Sequence, residues 1–358
     1  MRLWRVLLLV AVVAAAMTAT LFLSACGSEE STSSGGSTAK VQIVFNSGGG
    51  AYQDAVRAAW IQPFNAATPT IEVLEDSPTD YAKLKAMVEA NAVTLDIETV
   101  GNDFGIGQTE QYLEKLDPSV IPFADLQPDK FPTNGYRVPI MVFSTVIAYR
   151  QDLLGSETPT TFADFFDLKK FPGRRGCFNQ GGGGGLLEMA LIADGVAPDQ
   201  LYPLDLERAF KKIDTIKPSI IWWTKGAQSA RLLVDGEVTM GMSWNGRIAT
   251  AQDQGAAIDI MWGQHMISAD YAVIPKGAPH VAEATKLLQW MTSPEHNADL
   301  SKFIPYGPTN TNALTKLGPQ RAERLPTSHL DTAVTFDDVW MGDNIEQVNQ
   351  EWQKYVQQ

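Results

Sequence analysis

The 358-residue sequence is poor in the residues on which several protein classes depend. It has only two cysteines, which excludes a fold built on disulfides. Its four histidines are isolated, and none has the i, i+4 partner of a zinc-binding helix. Acidic residues exceed basic ones, 41 against 28, and the net charge of −13 gives nucleic-acid binding no electrostatic basis. With 44% hydrophobic and 19% charged residues, the composition is that of an ordinary globular protein.

Sequence signatures of catalysis are also missing. The segment Gly241–Gly246 holds a serine between glycines, but the second glycine lies one residue too late for the G-x-S-x-G motif. The glycine run at 181–185 is not followed by Lys-Ser or Lys-Thr, so it is not a nucleotide-binding P-loop. Cys177 is a nucleophile in principle, although a single buried thiol is far commoner. We therefore predict no catalytic residue, no metal and no cofactor, and keep an extracytoplasmic α/β enzyme acting on a small polar molecule as the alternative.

The N-terminus has the organisation of an export signal. Two arginines precede an uncharged apolar run from Val6 to Ala25, and small residues lead to Cys26. The sequence Leu23-Ser24-Ala25-Cys26 resembles a bacterial lipobox, in which the thiol is acylated and the preceding bond is cut. We therefore predict a signal peptide at 1–25, lipidation at Cys26 and an extracytoplasmic protein that is lipid-anchored to the cell membrane. An uncleaved transmembrane anchor is the alternative.

After a small, polar segment at 26–40 that predicts a flexible tether, strand-like and helix-like patterns alternate. This alternation predicts parallel sheets covered by helices, with ligands bound at the carboxyl ends of the strands. Ser293 followed by proline and glutamate predicts the start of a late helix. Strands are predicted at 41–45, 71–74, 95–100, 137–149 and 238–244, with two more near 258–262 and 271–274.

Two glycine-rich segments lead into predicted helices. Backbone N–H groups at a helix N-terminus favour an anion or a polar ligand group. The turn that contains Ser47, Gly49, Gly50 and Tyr52 is therefore a candidate ligand site, with a merely tight turn as the alternative. The glycine run, including Gly183 and Gly184, has the same interpretation, with a mobile loop as its alternative. Nucleotide binding is disfavoured because the spacing is not G-x-G-x-x-G and the predicted compartment lacks the cofactor.

Acidic and aromatic side chains stand together at strand–loop junctions. Asp103 and Phe104 follow a predicted strand, Asp270 precedes another, and Trp244 ends a third. A carboxylate beside aromatic faces suits an ammonium ligand through a charge-assisted hydrogen bond and cation–π attraction. Solvated turn residues are the alternative interpretation.

Six segments together resemble the extracellular solute-binding proteins of bacterial ABC importers, specifically the spermidine/putrescine-binding group. They cover, in order and spacing, essentially the whole chain after the tether. They are Gly49–Tyr52, Pro159–Asp167, Phe171–Gly176, Asp235–Val238, Ser243–Arg247 and Tyr306–Asn310.

The resemblance implies a class II periplasmic-binding-protein-like fold, in which two α/β lobes close around a solute and perform no catalysis. Each lobe is expected to have a mostly parallel sheet with flanking helices. The first lobe is expected at 41–148 and 270–312, and the second at 149–269 and 313–358. The implied partners are a small solute and an ABC permease in the membrane, and we expect a monomer.

The resemblance also implies ligand contacts. Trp244 is expected to flank the solute, Asp270 to bind an amine, and Tyr306 to lie beside it, while Phe104 falls where the family has an aromatic residue. The sequence departs from polyamine binders at Ser47 and Ser268, which replace tryptophans, and in the glycine run, which replaces two acids. We therefore expect a small amine-bearing solute, either polyamine-like or a zwitterion such as a γ-amino acid.

Overall fold

The computed structural model of the protein describes residues 40–357. The predicted signal peptide, the lipidation site Cys26 and all of the tether except Lys40 lie outside the described residues. Among the helices of the described range, each is too short or too polar to span a bilayer.

The strands of the described range form one mixed sheet. Their order across the sheet is β2-β1-β3-β8-β4-β7-β5-β6, and β9 pairs with β8. Their bounds are β1 Val41–Asn46, β2 Ile71–Asp76, β3 Ile97–Val100, β4 Arg137–Tyr149, β5 Arg175–Phe178, β6 Ile220–Trp223, β7 Met240–Trp244, β8 Asp259–Val273 and β9 Ala333–Thr335.

Helices cover the sheet, and a π-helical segment, Arg57–Ile61, joins the first two. Short 3-10 helices, among them Gly107–Tyr112 and Asn297–Lys302, fill several connections. The α-helices are α1 Gly50–Val56, α2 Gln62–Ala67, α3 Tyr81–Glu89, α4 Gln151–Leu154, α5 Phe162–Phe166, α6 Leu186–Ala193, α7 Leu206–Asp214, α8 Gly226–Val234, α9 Asn245–Asp253, α10 Val281–Thr292, α11 Pro319–Ala322 and α12 Asp338–Val356.

Two parallel half-sheets meet at a long antiparallel ribbon. Strand β1 pairs parallel with β2 and β3, and β5 pairs parallel with β6 and β7. Strands β4 and β8 run antiparallel to each other and join the two halves. Each half has its own apolar core, one around Phe45 and Trp60 and the other around Phe165 and Trp223. The predicted fold class, two α/β lobes with mostly parallel sheets, is confirmed, while the residue boundaries of the lobes stay a prediction.

Two local predictions are wrong. The strands expected near 258–262 and 271–274 are one strand, β8, because the polar residues between them are satisfied inside the sheet: buried His265 lies with Nδ1 2.8 Å from Ser144 Oγ on β4. The helix expected at Ser293 does not begin there. The Ser293 hydroxyl instead donates to the Trp290 carbonyl at the end of α10, and a 3-10 helix starts only at Asn297.

Candidate functional site

A cavity of about 550 Å³ lies where both half-sheets present the carboxyl ends of their strands. Its walls come from segments that follow β1, β3, β5 and β7, as the placement of ligands in α/β sheets predicts. The predicted site residues that line it are Tyr52, Asp103, Gly183, Trp244, Asp270 and Tyr306.

The other predicted site residues lie behind this wall. The buried Ser47 hydroxyl donates to the Gln53 side chain, and Phe104 packs under Tyr81 with ring centres 4.5 Å apart. Tyr81, not Phe104, therefore gives its ring to the cavity. Of the glycines, Gly49 lies against Ser77, Gly50 against Arg247, and Gly184 against the Gln180 carbonyl.

Two carboxylates, Asp103 and Asp270, line the cavity. Asp270 lies on β8 opposite Met141, and Asp103 lies in the turn after β3, where its Oδ1 accepts a hydrogen bond from the Tyr81 hydroxyl at 3.2 Å. Neither carboxylate forms a salt bridge with any residue in the range 40–357.

Burial dominates the protonation of these two carboxylates. It raises the pKa of Asp270 to about 7, with a further increase from the negative charge of Asp103 and a partial offset from the nearby Tyr52 hydroxyl. Burial likewise raises the pKa of Asp103, against the hydrogen bond from Tyr81. An ammonium group would supply the positive charge that both carboxylates lack.

The cavity wall also holds a cationic residue, Arg247, which was not among the site residues predicted from the sequence. Arg247 lines the cavity from the first turn of α9, and a Cβ on Gly50 would lie 3.7 Å from its Nη1, so the guanidinium lies against the glycine turn before α1. Its Nε is buried without a hydrogen-bond partner among the described residues. Arg247 stands within the motif Ser243–Arg247, and its position three residues after Trp244, at the start of a helix, was the available signal.

Trp244 is held by an aromatic wall. Its ring meets Phe178 and Trp223 edge-on, with centroid distances of 5.7 and 5.6 Å, and those two rings stack at 4.4 Å. A Cβ on Gly226 would lie only 2.4 Å from Trp244 Cζ3, so the indole needs a glycine at the start of α8. The wall fixes one apolar face of the cavity.

Several buried polar groups around the cavity await a partner. Arg247 Nε has no hydrogen-bond partner among the described residues, and the Tyr52 hydroxyl and Asn102 Nδ2 lie near the carboxylates of Asp270 and Asp338 without hydrogen-bond geometry. Buried polar groups are normally hydrogen-bonded, and exceptions call for an explanation. A polar ligand in the cavity would provide it.

The glycine run serves helix packing as well as the cavity. A Cβ on Gly181 would lie 2.6 Å from Trp352 Cβ, and one on Gly182 would lie 2.9 Å from Met341 Sδ, both on α12. Gly183 lines the cavity with a φ of +74°. The close approach of α12 thus requires glycine at positions 181 and 182. The sequence predicted either a ligand site or a mobile loop for this run, and neither includes contact with α12.

The sequence of the chain is similar to those of known proteins. The bacterial extracellular solute-binding protein family matches residues 59–327. The chain belongs to this family. Proteins of this family are solute-binding transport components that work with ABC permeases, as the resemblance implied.

Individual members of the family include proteins named for different amines. The γ-aminobutyric acid-binding protein of Pseudomonas aeruginosa is 35% identical over 316 residues, which is 85% of this chain and 88% of that protein. A solved structure described as a GABA receptor is 40% identical with a TM-score of 0.82 and covers 88% of this chain and 97% of its own. The spermidine/putrescine-binding periplasmic protein of Escherichia coli is 25% identical over 75% of this chain and 78% of its own.

Proposed function

We propose that this solute-binding protein captures a zwitterionic ω-amino acid of the γ-aminobutyrate type and delivers it to an ABC permease. The observation that carries the proposal is that groups of opposite charge line one cavity without forming a salt bridge with each other. Asp103 and Asp270 are the carboxylates, and Arg247 is the cation.

The carboxylates and the guanidinium match the two charged groups of such a ligand. The ammonium would be held by the paired carboxylates beside the Tyr81 ring, through charge-assisted hydrogen bonds and cation–π attraction. The carboxylate would be held by the Arg247 guanidinium, beside the glycine turn before α1. Similarity to two proteins named for γ-aminobutyrate supports this assignment.

A polyamine is the second candidate within the family. The two half-buried carboxylates favour it, and so does the similarity to spermidine/putrescine-binding proteins. Arg247 counts against it, because a second ammonium beside the guanidinium would meet a like charge. The guanidinium of Arg247 therefore disfavours a diamine as the ligand.

An enzymatic function has little support. The described range holds a buried Ser144–His265 pair whose hydrogen bond is like that of a catalytic serine and its histidine base. Neither residue lines the cavity, and His265 Nε2 lies 2.9 Å from the His329 carbonyl oxygen. Within the same range no cluster of His, Cys, Asp and Glu fits a metal ion. We infer that the cavity binds its solute without chemical change.

The proposal includes an extracytoplasmic monomer that is anchored through a lipid on Cys26. It rests on the lipobox-like sequence and on an extracellular family. In the native bacterium, wild-type protein is expected in the membrane fraction and Cys26→Ala in the soluble or uncleaved fraction. Equal membrane association of a fully processed Cys26→Ala protein would contradict the anchor.

The solute is tested with a series matched in length. The mature domain is unfolded thermally with γ-aminobutyrate, putrescine and glutarate, which carry one charge of each sign, two positive charges and two negative charges. A ligand that binds only the folded state raises the unfolding temperature. We expect stabilisation by γ-aminobutyrate alone. Stabilisation by putrescine alone assigns a polyamine, stabilisation by glutarate alone removes the ammonium site, and conversion of any solute to a product indicates an enzyme.

A further inference from the structure

A buried ionic cluster lies next to the two carboxylates of the cavity, Asp103 and Asp270. Arg137, on β4, is fully buried, and its Nη2 lies 2.7 Å from Oδ2 of Asp338 at the start of α12. The same Oδ2 accepts a hydrogen bond from the Tyr271 hydroxyl at 2.8 Å. The Arg137 guanidinium carbon lies 3.8 Å from the centre of the Tyr271 ring. None of the three residues lines the cavity.

Arg137 of this cluster forms hydrogen bonds with the backbone on both sides of Asp103. Arg137 Nη1 donates to the carbonyl of Asn102 at 3.0 Å and to that of Phe104 at 3.1 Å, and Nε donates to the Pro132 carbonyl at 2.8 Å. A guanidinium that donates in several fixed directions leaves this turn few alternative conformations. The position of the Asp103 carboxylate therefore depends on Arg137.

The cluster also fixes Asp270. Tyr271 follows Asp270 on β8, and its side chain is locked by the bond to Asp338 and by the guanidinium over its ring. Successive side chains of a strand point to opposite faces, so anchoring Tyr271 behind the sheet orients Asp270 toward the cavity. One cluster thus holds both carboxylates.

The carboxylate of Asp338 balances the positive charge of Arg137 beside the cavity. Asp103 is faced by Tyr81, Asp338 and Arg137, and Asp270 by Tyr52 and Asp103. The positive charge of Arg137 lowers the pKa of Asp103, whereas the negative charge of Asp338 raises it. Without Asp338, an unpaired guanidinium would stand next to the site and repel an incoming ammonium.

We propose that Asp338, acting through Arg137 and Tyr271, is a positioning residue that sets the preference of the cavity for an ammonium group. The proposal rests on the assignment of Asp103 and Asp270 to the ammonium of the ligand. Asp338 is 201 residues from Arg137 in sequence and belongs to the last helix, so this preference depends on a segment that does not touch the ligand.

The test compares two ligands that differ only at the amine end, γ-aminobutyrate and 4-hydroxybutyrate, by titration calorimetry. For Asp338→Asn we expect the affinity for γ-aminobutyrate to fall about tenfold, because the unpaired charge of Arg137 opposes the ammonium, with 4-hydroxybutyrate little changed. Tyr271→Phe should act in the same direction, and it decides the question if Asp338→Asn does not fold. The matched control is Asp214→Asn, which also removes a carboxylate that accepts from a tyrosine hydroxyl, that of Tyr355 on α12, at 2.9 Å.

Each outcome has a definite meaning. A lower ratio of the two affinities in the variants, with the control unchanged, supports the proposal. Unchanged affinity for γ-aminobutyrate overturns it, and so does an equal loss for both ligands, which would indicate only a structural role. If the wild-type protein does not prefer γ-aminobutyrate to 4-hydroxybutyrate, the proposed ammonium site itself fails.

Discussion

Replacing Asp270 by asparagine should stabilise the empty protein while it weakens ligand binding. In the folded protein the pKa of this carboxyl is about 7, chiefly through burial and then through the charge of Asp103. In the unfolded chain the value is about 3.9. The folded state therefore binds the proton more tightly, and the stability of the protein falls as the pH rises between these two values.

The magnitude follows from the two pKa values. A difference of about three pKa units corresponds to roughly 4 kcal/mol at about 1.36 kcal/mol per unit. This cost is fully present above pH 7 and absent below about pH 4. Asp270→Asn keeps the shape of the side chain without the charge, so it should raise the free energy of unfolding at pH 8 and change it little at pH 4.

The assay is urea unfolding of both proteins without ligand at pH 4 and pH 8, followed by calorimetric titration with γ-aminobutyrate at pH 8. We expect the variant to be more stable only at pH 8 and to bind at least about tenfold more weakly. For the wild type, affinity should increase from pH 6 to pH 8, because an alkyl ammonium stays charged over that range and replaces the proton on the carboxylates. A gain in stability that is equal at both pH values, or a loss at pH 8, would refute the reasoning.

Three further predictions concern other parts of the molecule. Arg247→Met should weaken γ-aminobutyrate binding about tenfold or more and improve binding of putrescine in the same titration, because it removes the positive charge of Arg247 from the cavity wall. Unchanged binding of both ligands would contradict the assignment of Arg247 to the ligand carboxylate. Gly181→Ala should lower the free energy of unfolding by about 1–3 kcal/mol in urea through overpacking against Trp352, whereas Gly318→Ala, with open space around its Cβ, should change it little; equal effects would refute the packing argument. Cys177 should react with a disulfide reagent only after unfolding, because it is fully buried and burial raises the pKa of its thiol; rapid reaction of the native protein would show that the core opens.

Local patterns predicted much of the fold where the buried parts of strands and helices carry apolar residues. The run 137–149 is strand β4 as predicted, since a strand buried on both faces reads as a continuous apolar stretch. Strand β8 was divided in two because His265 is polar, and its partner Ser144 is 121 residues away in sequence. Pairing of that kind leaves no local signal.

The candidate site was predicted in part for a similar reason. Acid–aromatic pairs at strand ends located Asp103 and Asp270, but the sequence did not show that Tyr81, one helix away, takes the place expected for Phe104 in the cavity wall. Arg247 was overlooked because its direction depends on where α9 begins. Whether these residues bind the solute stays a prediction that the titrations above test.

The aromatic wall gives the protein its own optical reporter. Trp244 lines the cavity and lies edge-on to Trp223, which is fully enclosed by the core. An arriving solute changes the polarity around one indole, while the second is close enough to exchange excitation energy with it. Binding should therefore be readable from intrinsic emission without a label, and Trp244→Phe would identify the part of the signal that comes from the cavity.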